Sequence, residues 1–566
     1  MPNRPDTAEA PTAAPLTNLT RSGGEMFAWS DRPGRESPLL DHLIVELGGP
    51  GRSVLVAGPH PAGLVAALAA GGAEVTWALR SGTDAEAAAR AHPTITVRSG
   101  AFGKIDLTSG YDLVVAVDGL QRLNSAEGDQ LSADDLLRRL AGAVRPDGTL
   151  VLMHDNQLGA HHTVRLDPGA RFRDDAAWSA ATADPASRAQ LTSRLAGCGL
   201  TAATTYAAFP EPAAPAVLVG GETLGDVASP LRPWLGTVLA QAYTTAFRGR
   251  PVLADPRELV SRALRAGAED TVAGGWLVIA SAPGAAGLPR ARPDVLAADV
   301  NGVYAIGADG PVTLSPAASP REVEGLRRVR VVRPVAGYRL EARLLELCAA
   351  ADVRGLRQEI TGYESWLGTG PISGPEALAD LSDIAVTGDG PTVLSARWEP
   401  ATALPAQIVL VRALWQFAVR LTTGGRPHPW PITASAADLA AILVGMAGRS
   451  LADEELRAAV DLQVTIDGAE FGLDRAGRQA HRLALRSVQP GSAPIDVAGY
   501  HQLAEALWRQ RYQASHLLAM MEWTERIIQS RDAQLSRMDW ELQLLRRGWG
   551  GRGLMLAKRA YKMVRK

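Results

Sequence analysis

The sequence predicts an α/β protein: a doubly wound, mainly parallel sheet, then an α+β domain, then one long C-terminal helix. Three observations predict it. Residues 52–80 read as a strand (Val54-Leu55-Val56), a Gly/Pro turn (Gly58-Pro59-His60-Pro61-Ala62-Gly63), an Ala/Leu-rich helix from about Leu64 and a second strand (Glu74-Val75-Thr76-Trp77), which together make the opening unit of such a sheet. The alternation then recurs through residue 153. From residue 501 apolar residues return every three or four positions, the spacing of a coiled-coil seam.

The 566 residues suffice for two or three domains. The chain is 46% hydrophobic and 21% charged with a formal net charge of -2, an ordinary globular composition that argues against a general nucleic-acid binder. Two distant cysteines, Cys198 and Cys348, suit a reducing cytoplasm and exclude a disulfide framework. No stretch approaches the roughly 20 apolar residues of a membrane span, and the N-terminus lacks the pattern of a signal peptide. The expected location is cytoplasmic.

Residues 1–24 are rich in Pro, Ala, Thr and Asn and read as a disordered leader. Leu39, Leu40, Leu43, Ile44 and Leu47 mark a helix before the first strand. Further strands are expected at residues 94–97, 111–117 and 149–153, with a helix at 131–144 and a tight turn at Arg145-Pro146-Asp147-Gly148. Residues 216–219 and 276–280 look like closing strands, and 230–266 like a helical lid or docking insert. The first domain is placed at 25–285 and a Gly/Ala/Pro/Arg-rich linker at 286–298. Residues 299–497 change texture, from short strand-like pieces to helical runs at 340–351 and 408–421. Residues 498–547 form the heptad helix, read as a stalk for a homo-oligomer or a partner, with a packed surface helix as the alternative. Residues 548–566 are basic, with interleaved apolar residues and no acid. They read either as an amphipathic end for an anionic membrane surface or as a solvated tail.

With the turn at 58–63, the segment Y-D-L-V-V-A-V-D-G-L-Q-R-L (residues 111–123) and R-P-D-G-T-L-V-L (residues 145–152) in view, the first domain resembles a class I S-adenosylmethionine-dependent methyltransferase with a Rossmann-like fold. His154-Asp155-Asn156-Gln157-Leu158-Gly159 and Phe209-Pro210-Glu211-Pro212 resemble a subgroup associated with bacterial surface-polysaccharide synthesis. The resemblance implies S-adenosyl-L-methionine as cofactor, held by Gly58, His60, Ala62, Gly63, Leu79, Gly100, Ala101 and Asp118. Its physical basis is a glycine turn that lets the backbone approach the ligand and a helix N-terminus whose N–H groups meet a carboxylate. The chain departs from the family pattern. His60 and Ala62 stand at glycine positions, and Ala78-Leu79-Arg80 offers no acid for the ribose hydroxyls. A divergent cofactor site and a lost one both remain open.

His154 and Asp155, with His161 and His162 nearby, place metal-ligand or acid/base chemistry just past the fifth strand, where an open sheet lines its crevice. His154 and Asp155 are the candidate catalytic pair and no metal ligands are assigned; a polar loop whose histidines only make hydrogen bonds is the alternative. Residues 299–421 faintly resemble a kinase-like domain. Asp380 to Val386 and Thr392 to Glu399 stand where its catalytic loop and metal strand belong, but no lysine serves phosphate and Ser395 and Arg397 replace acids. That domain is expected to be catalytically dead. The layout resembles O-antigen chain-terminating methyltransferase–kinases. It implies O-methyl transfer to a sugar or lipid-linked glycan intermediate, a glycosyltransferase partner on the coiled coil and attachment at the inner membrane face. The alternative is an inactive scaffold that organises glycosyltransferases. A dinucleotide-dependent oxidoreductase is disfavoured, since the ribose acid is missing for it too.

Overall fold

The computed structural model describes residues 16–547 except 28, 32–33, 166–184, 222, 251, 284–291, 308–309, 318–321 and 489–496; beyond 547 it describes residues 553, 556–557, 560–561 and 563. In chain order come β1 (Leu19–Arg21), α1 (Pro38–Gly48), β2 (Ser53–Ala57), α2 (Ala62–Ala70), β3 (Glu74–Leu79), α3 (Gly82–Ala91), β4 (Thr96–Ser99) and β5 (Tyr111–Ala116). A 3-10 turn at Leu120–Leu123 precedes α4 (Ala133–Gly142), β6 (Val144–Asp155), α5 (Ala160–Thr163), α6 (Arg188–Gly197), β7 (Thr201–Phe209) and β8 (Val217–Gly220). Helices α7 (Leu231–Ala246), α8 (Pro256–Ala266) and α9 (Glu269–Val272) lead into β9 (Gly275–Ser281), β10 (Val295–Asp299), β11 (Gly302–Gly307) and β12 (Gly310–Pro316).

These strands form one sheet in the order β1-β4-β3-β2-β5-β6-β9-β7-β8-β10-β11-β12. Every pair from β1 to β6 is parallel, and every pair from β6 outward is antiparallel. The central strands β2, β5, β8 and β9 are buried on both faces, so they are near-continuously apolar rather than alternating. Val54 and Val56 pack with Leu43, Leu64 and Leu68 on one face. Leu55, Val114 and Leu152 pack with Leu136, Leu140 and Leu195 on the other. The chain winds outward from β2 through β3 to β4, returns to β5 beside β2, and so places a switch point between β2 and β5. The expected doubly wound sheet is therefore present.

Three expectations change. The disordered leader is shorter than residues 1–24: residues 1–15 lie outside the described residues, but β1 pairs with β4 and extends the sheet. The linker at 286–298 and the boundary at 299 also move. Residues 284–291 are not described, but β10 pairs with β8 and carries β11 and β12 onto the same sheet. An open edge at β8 is a liability, and its own chain covers it. The turn at Arg145 to Gly148 is present but lies inside β6 rather than before it: Val144 pairs with Tyr111 and Thr149 with Leu113, so four residues loop out against one.

The rest of the first unit holds β13 (Glu322–Val323), β14 (Leu326–Val332), β15 (Tyr338–Arg339), α10 (Leu340–Ala349), α11 (Val353–Leu367), β16 (Ile384–Thr387), β17 (Gly390–Val393) and β18 (Ser395–Pro400). Then follow α12 (Ala406–Thr423), α13 (Ala436–Met446), α14 (Asp453–Phe471) and α15 (Arg475–Arg486). Two three-stranded antiparallel sheets, β13-β14-β18 and β15-β16-β17, confirm an α+β arrangement. Helix α12 is apolar almost all round and is the centre of this core, as a buried helix must be. Trp398 and Trp415 are buried, and Trp366 and Trp430 pack against the cores, as core tryptophans are expected to do. The described residues between 16 and 488 form one compact unit, and α7 joins its halves: Thr237 Oγ1 donates to Ser382 O at 2.6 Å and Gln241 Nε2 to Asp383 Oδ1 at 2.9 Å. The expected lid or insert at 230–266 is thus a docking element.

The second unit contains α16 (Val497–Arg547), a single helix of 51 residues. Leu503, Leu507, Leu517, Met521, Ile528, Leu535, Met538 and Leu542 are exposed along it. Most of the basic end at 548–566 lies outside the described residues. Among the described residues no helix is long and apolar enough to cross a membrane.

Candidate functional site

In an open α/β sheet, ligands sit beyond the carboxyl ends of the strands at the switch point. Here those ends are Gly58 after β2, Arg80 after β3, Gly100 after β4, Asp118 after β5 and Asp155 at the end of β6. Gly58 has φ +103°, a conformation that favours glycine over any residue with a side chain. Its carbonyl accepts from Trp77 Nε1 at 2.9 Å and from His60 Nδ1 at 3.1 Å. His60 Nε2 in turn accepts from the Val117 N–H at 3.2 Å. One imidazole therefore bridges the β2 turn and the end of β5, and its two partners fix the neutral Nδ1–H tautomer. His60 thus closes the gap between these strands rather than replacing a ligand-facing glycine.

Burial dominates the His60 titration and, with the Arg122 charge, holds its pKa down at about 4 against the Gly58 bond. The ordinary value is 6.5, so between pH 6.5 and 4 the unfolded chain binds a proton that the folded chain excludes. Stability then falls as pH drops through that window, by about 3 kcal/mol in all. Urea midpoints at pH 7 and pH 4.5 should fall further apart for the wild type than for His60→Asn. Equal displacement in both would sink the assignment.

The described residues between Ser22 and Ser37 (22–27, 29–31 and 34–37) lie across the same edge as a strap. Its backbone is joined to the strand ends: Ser22 N–H to Ser99 O at 2.7 Å, Ala101 N–H to Gly23 O at 3.0 Å, Met26 N–H to Arg80 O at 2.9 Å, and Gly34 N–H to Pro59 O at 3.2 Å. Asp31 is its buried anchor. Arg80 Nε reaches Asp31 Oδ2 at 3.0 Å and Arg80 Nη2 reaches Asp31 Oδ1 at 2.6 Å, with both side chains 1% exposed. Arg80 Nη1 donates to Asn124 O at 2.8 Å. Arg122 approaches Asp31 at 3.6 Å and pairs with Asp118 at 2.6 Å. Burial of Asp118 pushes its pKa up to about 7, with Asp31 adding to the rise and Arg122 and Arg80 opposing it.

The candidate cofactor residues therefore divide. Ala62 and Gly63 are exposed at the start of α2, which has Pro61 as N-cap and no side-chain cap; this end retains an accessible helix N-terminus. Gly58 and His60 are buried at the ends of β2 and β5, and Asp118 is half-buried and paired with Arg122. Gly100 and Ala101 lie beneath Gly23 and Gly24. Leu79 is corrected: it is 2% exposed within the core, so the inward phase of β3 removes it from the ligand side. The residue that does occupy that edge is Arg80, and its carboxylate partner comes from the strap. Arg80, Asp31 and the strap thus occupy the edge beyond β3, while the start of α2 stays exposed.

The catalytic candidates also change. His154 is 3% exposed, bonded through Nε2 to Pro185 O at 2.8 Å and stacked on Trp276. It is a structural residue with no free nitrogen for a substrate at Nε2. Asp155 instead meets His161 Nε2 at 2.9 Å through Oδ1 and His162 Nε2 at 2.8 Å through Oδ2. Burial works to raise the Asp155 pKa, but the bonds from the two histidines outweigh it and hold the carboxyl well below its usual range. His162 is 40% exposed at its side chain and His161 8%. An oriented Asp155–His162 pair is the arrangement of a general base.

In the second half, Asp383 is fully enclosed and its pKa is pushed up to about 6, chiefly by burial and secondarily by Asp380. Arg397 fills the position expected for a metal-binding acid. It pairs with Glu470 at 3.3 Å and donates to Gln241 Oε1 at 3.0 Å. Asp383 and Arg397 both line a cavity of about 610 Å³ between α7, α12 and α14. The guanidinium puts a fixed positive charge on the wall of this cavity.

No protein-family model matches the sequence, and no curated protein matches it. Solved structures with similar folds include an S-adenosylmethionine-dependent methyltransferase from Mesorhizobium loti (16% identity, 43% of this chain and 95% of that one, TM-score 0.25). A geranyl diphosphate methyltransferase in complex with S-adenosylmethionine shares 12% identity over 43% of this chain and 84% of its own, with TM-score 0.26. A Burkholderia thailandensis 1,6-didemethyltoxoflavin-N1-methyltransferase shares 18% identity over 30% and 69%, with TM-score 0.20. The α/β fold stands on the strand order itself, and the chemistry on the residues at the crevice.

Proposed function

We propose that the chain is an S-adenosylmethionine-dependent methyltransferase whose crevice is covered by the strap at residues 22–37. The observation that supports this reading is the switch-point turn, where Gly58 and the uncapped, exposed start of α2 retain a place for the ligand's amino-acid end. Asp155 orients His162, which is positioned to accept a proton from an acceptor hydroxyl. The cofactor would supply the methyl group. The acceptor class, a sugar or lipid-linked glycan hydroxyl in cell-surface polysaccharide synthesis, follows from the resemblance of residues 154–159 and 209–212 and from no residue contact. On the same resemblance α16 serves assembly with itself and a glycosyltransferase, and the basic end serves an anionic membrane surface.

A specific observation favours a second reading. Arg80 is saturated by Asp31 and Asn124 where a ribose acid would stand, and Arg397 replaces an acid in the second half. Both features suit an inactive scaffold. Calorimetry with S-adenosylmethionine and S-adenosylhomocysteine separates the two. The expected result is binding by the wild type that is lost in Gly58→Arg, whose side chain would meet Leu123 in a strained backbone. No heat at high micromolar ligand would establish the scaffold.

A further inference from the structure

We infer that Asp155, His161 and His162 form a binding site for a divalent transition metal of the zinc type. Their three ligand atoms lie within 4.8 Å of one another, and among the described residues this is the one group of three that does so. Two imidazoles and one carboxylate are a borderline donor set suited to Zn²⁺, Co²⁺ or Ni²⁺. Both Nε2 atoms converge on a single carboxylate, one on each oxygen, and the rings are 4.0 Å apart between centroids. A cation between them would replace those two hydrogen bonds with bonds to all three groups, each ring then carrying its proton on Nδ1.

The surroundings are built to hold this geometry. Asp155 is fixed by the β6–β9 ladder opposite Gly275. Asn156 Nδ2 donates to Thr271 O and Ala273 O, both at 2.9 Å, and the Gly159 N–H donates to Asn156 O at 2.8 Å. A Cβ on Gly159 would stand 2.6 Å from the His161 ring and 2.8 Å from Ala273 O, so only glycine lets that ring in. Three protein ligands with a half-exposed histidine leave a coordination position open to solvent, the pattern of a catalytic rather than a structural metal. If the methyltransferase reading holds, the metal would take the place of the free His162 base: an acceptor hydroxyl bound there would release its proton to solvent more readily, but the site itself does not depend on that reading.

The test uses the untagged full chain, stripped with a chelator and titrated with Zn²⁺ and Ni²⁺ in the absence of any cofactor. One equivalent is expected to bind, and Co²⁺ is expected to give a visible ligand-field spectrum. His162→Ala, on a half-exposed side chain, should fold as judged by circular dichroism. It should lose more affinity than the roughly 10–100-fold that removal of an outer-shell partner costs. Asp155→Asn should do the same. No stoichiometric binding, or binding unchanged in His162→Ala, would overturn the site while leaving the calorimetry with S-adenosylmethionine unaffected.

Discussion

Replacing Asp31 with alanine is expected to destabilise the first unit by about 3–5 kcal/mol, because it strands a guanidinium in a place with 1% exposure. Arg80 cannot shed its charge, and Asn124 O satisfies only one of its nitrogens. Arg122 would lose an acidic neighbour as well. Asp31→Leu with Arg80→Leu should behave otherwise. Removing both charges removes the desolvation cost with them, so the double variant should lie within about 1–2 kcal/mol of the wild type or above it. Chemical denaturation of the wild type, Asp31→Leu, Arg80→Leu and the double variant completes the cycle. A small effect of Asp31→Ala would mean that the strap is not anchored by this pair. The cycle also bears on function, because the double variant keeps the crevice free of a buried ion pair without unfolding it. If the strap is a gate, the double variant should bind S-adenosylhomocysteine more tightly than the wild type.

The parallel half of the sheet was legible because each element carries its own signal: apolar strands, a glycine turn after β2, and helices with one periodic face. What escaped notice was whatever depends on residues far apart. His60 was read as a missing glycine because its partner, Val117, lies 57 residues on. Asp31 carries no local signal, since its partner is 49 residues away and the segment around it has no periodicity. The one available clue was Arg80 itself, a charge at the end of an apolar strand that requires a counter-charge if buried. The exchange of His154 for His162 has a similar origin. Along the buried strand β6 the alternation of faces turns His154 toward Trp276, and only the turn after Asp155 brings two more histidines back. Strands β10 to β12 looked like a new domain because sheet-edge pairing leaves no local pattern. Cys198 and Cys348 are both free in the structure.

Arg412 marks the second place where a single change should be costly. Its residue is fully buried in α12, and its guanidinium holds four acceptors: Asp380 Oδ1 at 2.7 Å, Gln463 Oε1 at 2.8 Å, Leu378 O at 2.7 Å and Ala379 O at 2.8 Å. These bonds tie α12 to the segment before β16 and to α14. Arg412→Met nearly conserves volume but leaves two backbone carbonyls and a glutamine amide without their donor. At about 1–3 kcal/mol for each buried group the total should exceed about 4 kcal/mol, in the tail of single-substitution effects. Arg412→Lys retains the charge but not the planar fork, so it should recover only part of the loss. The same segment carries Ser382 and Asp383, which meet Thr237 and Gln241 of α7, and α7 also packs on the α/β sheet through Trp234 and Tyr243. Loosening Arg412 should therefore weaken both halves together. Thermal unfolding followed by tryptophan fluorescence and by far-ultraviolet circular dichroism should show one coincident transition, shifted down in Arg412→Met. Two separated transitions, with the α/β half unmoved, would show that α7 does not couple them.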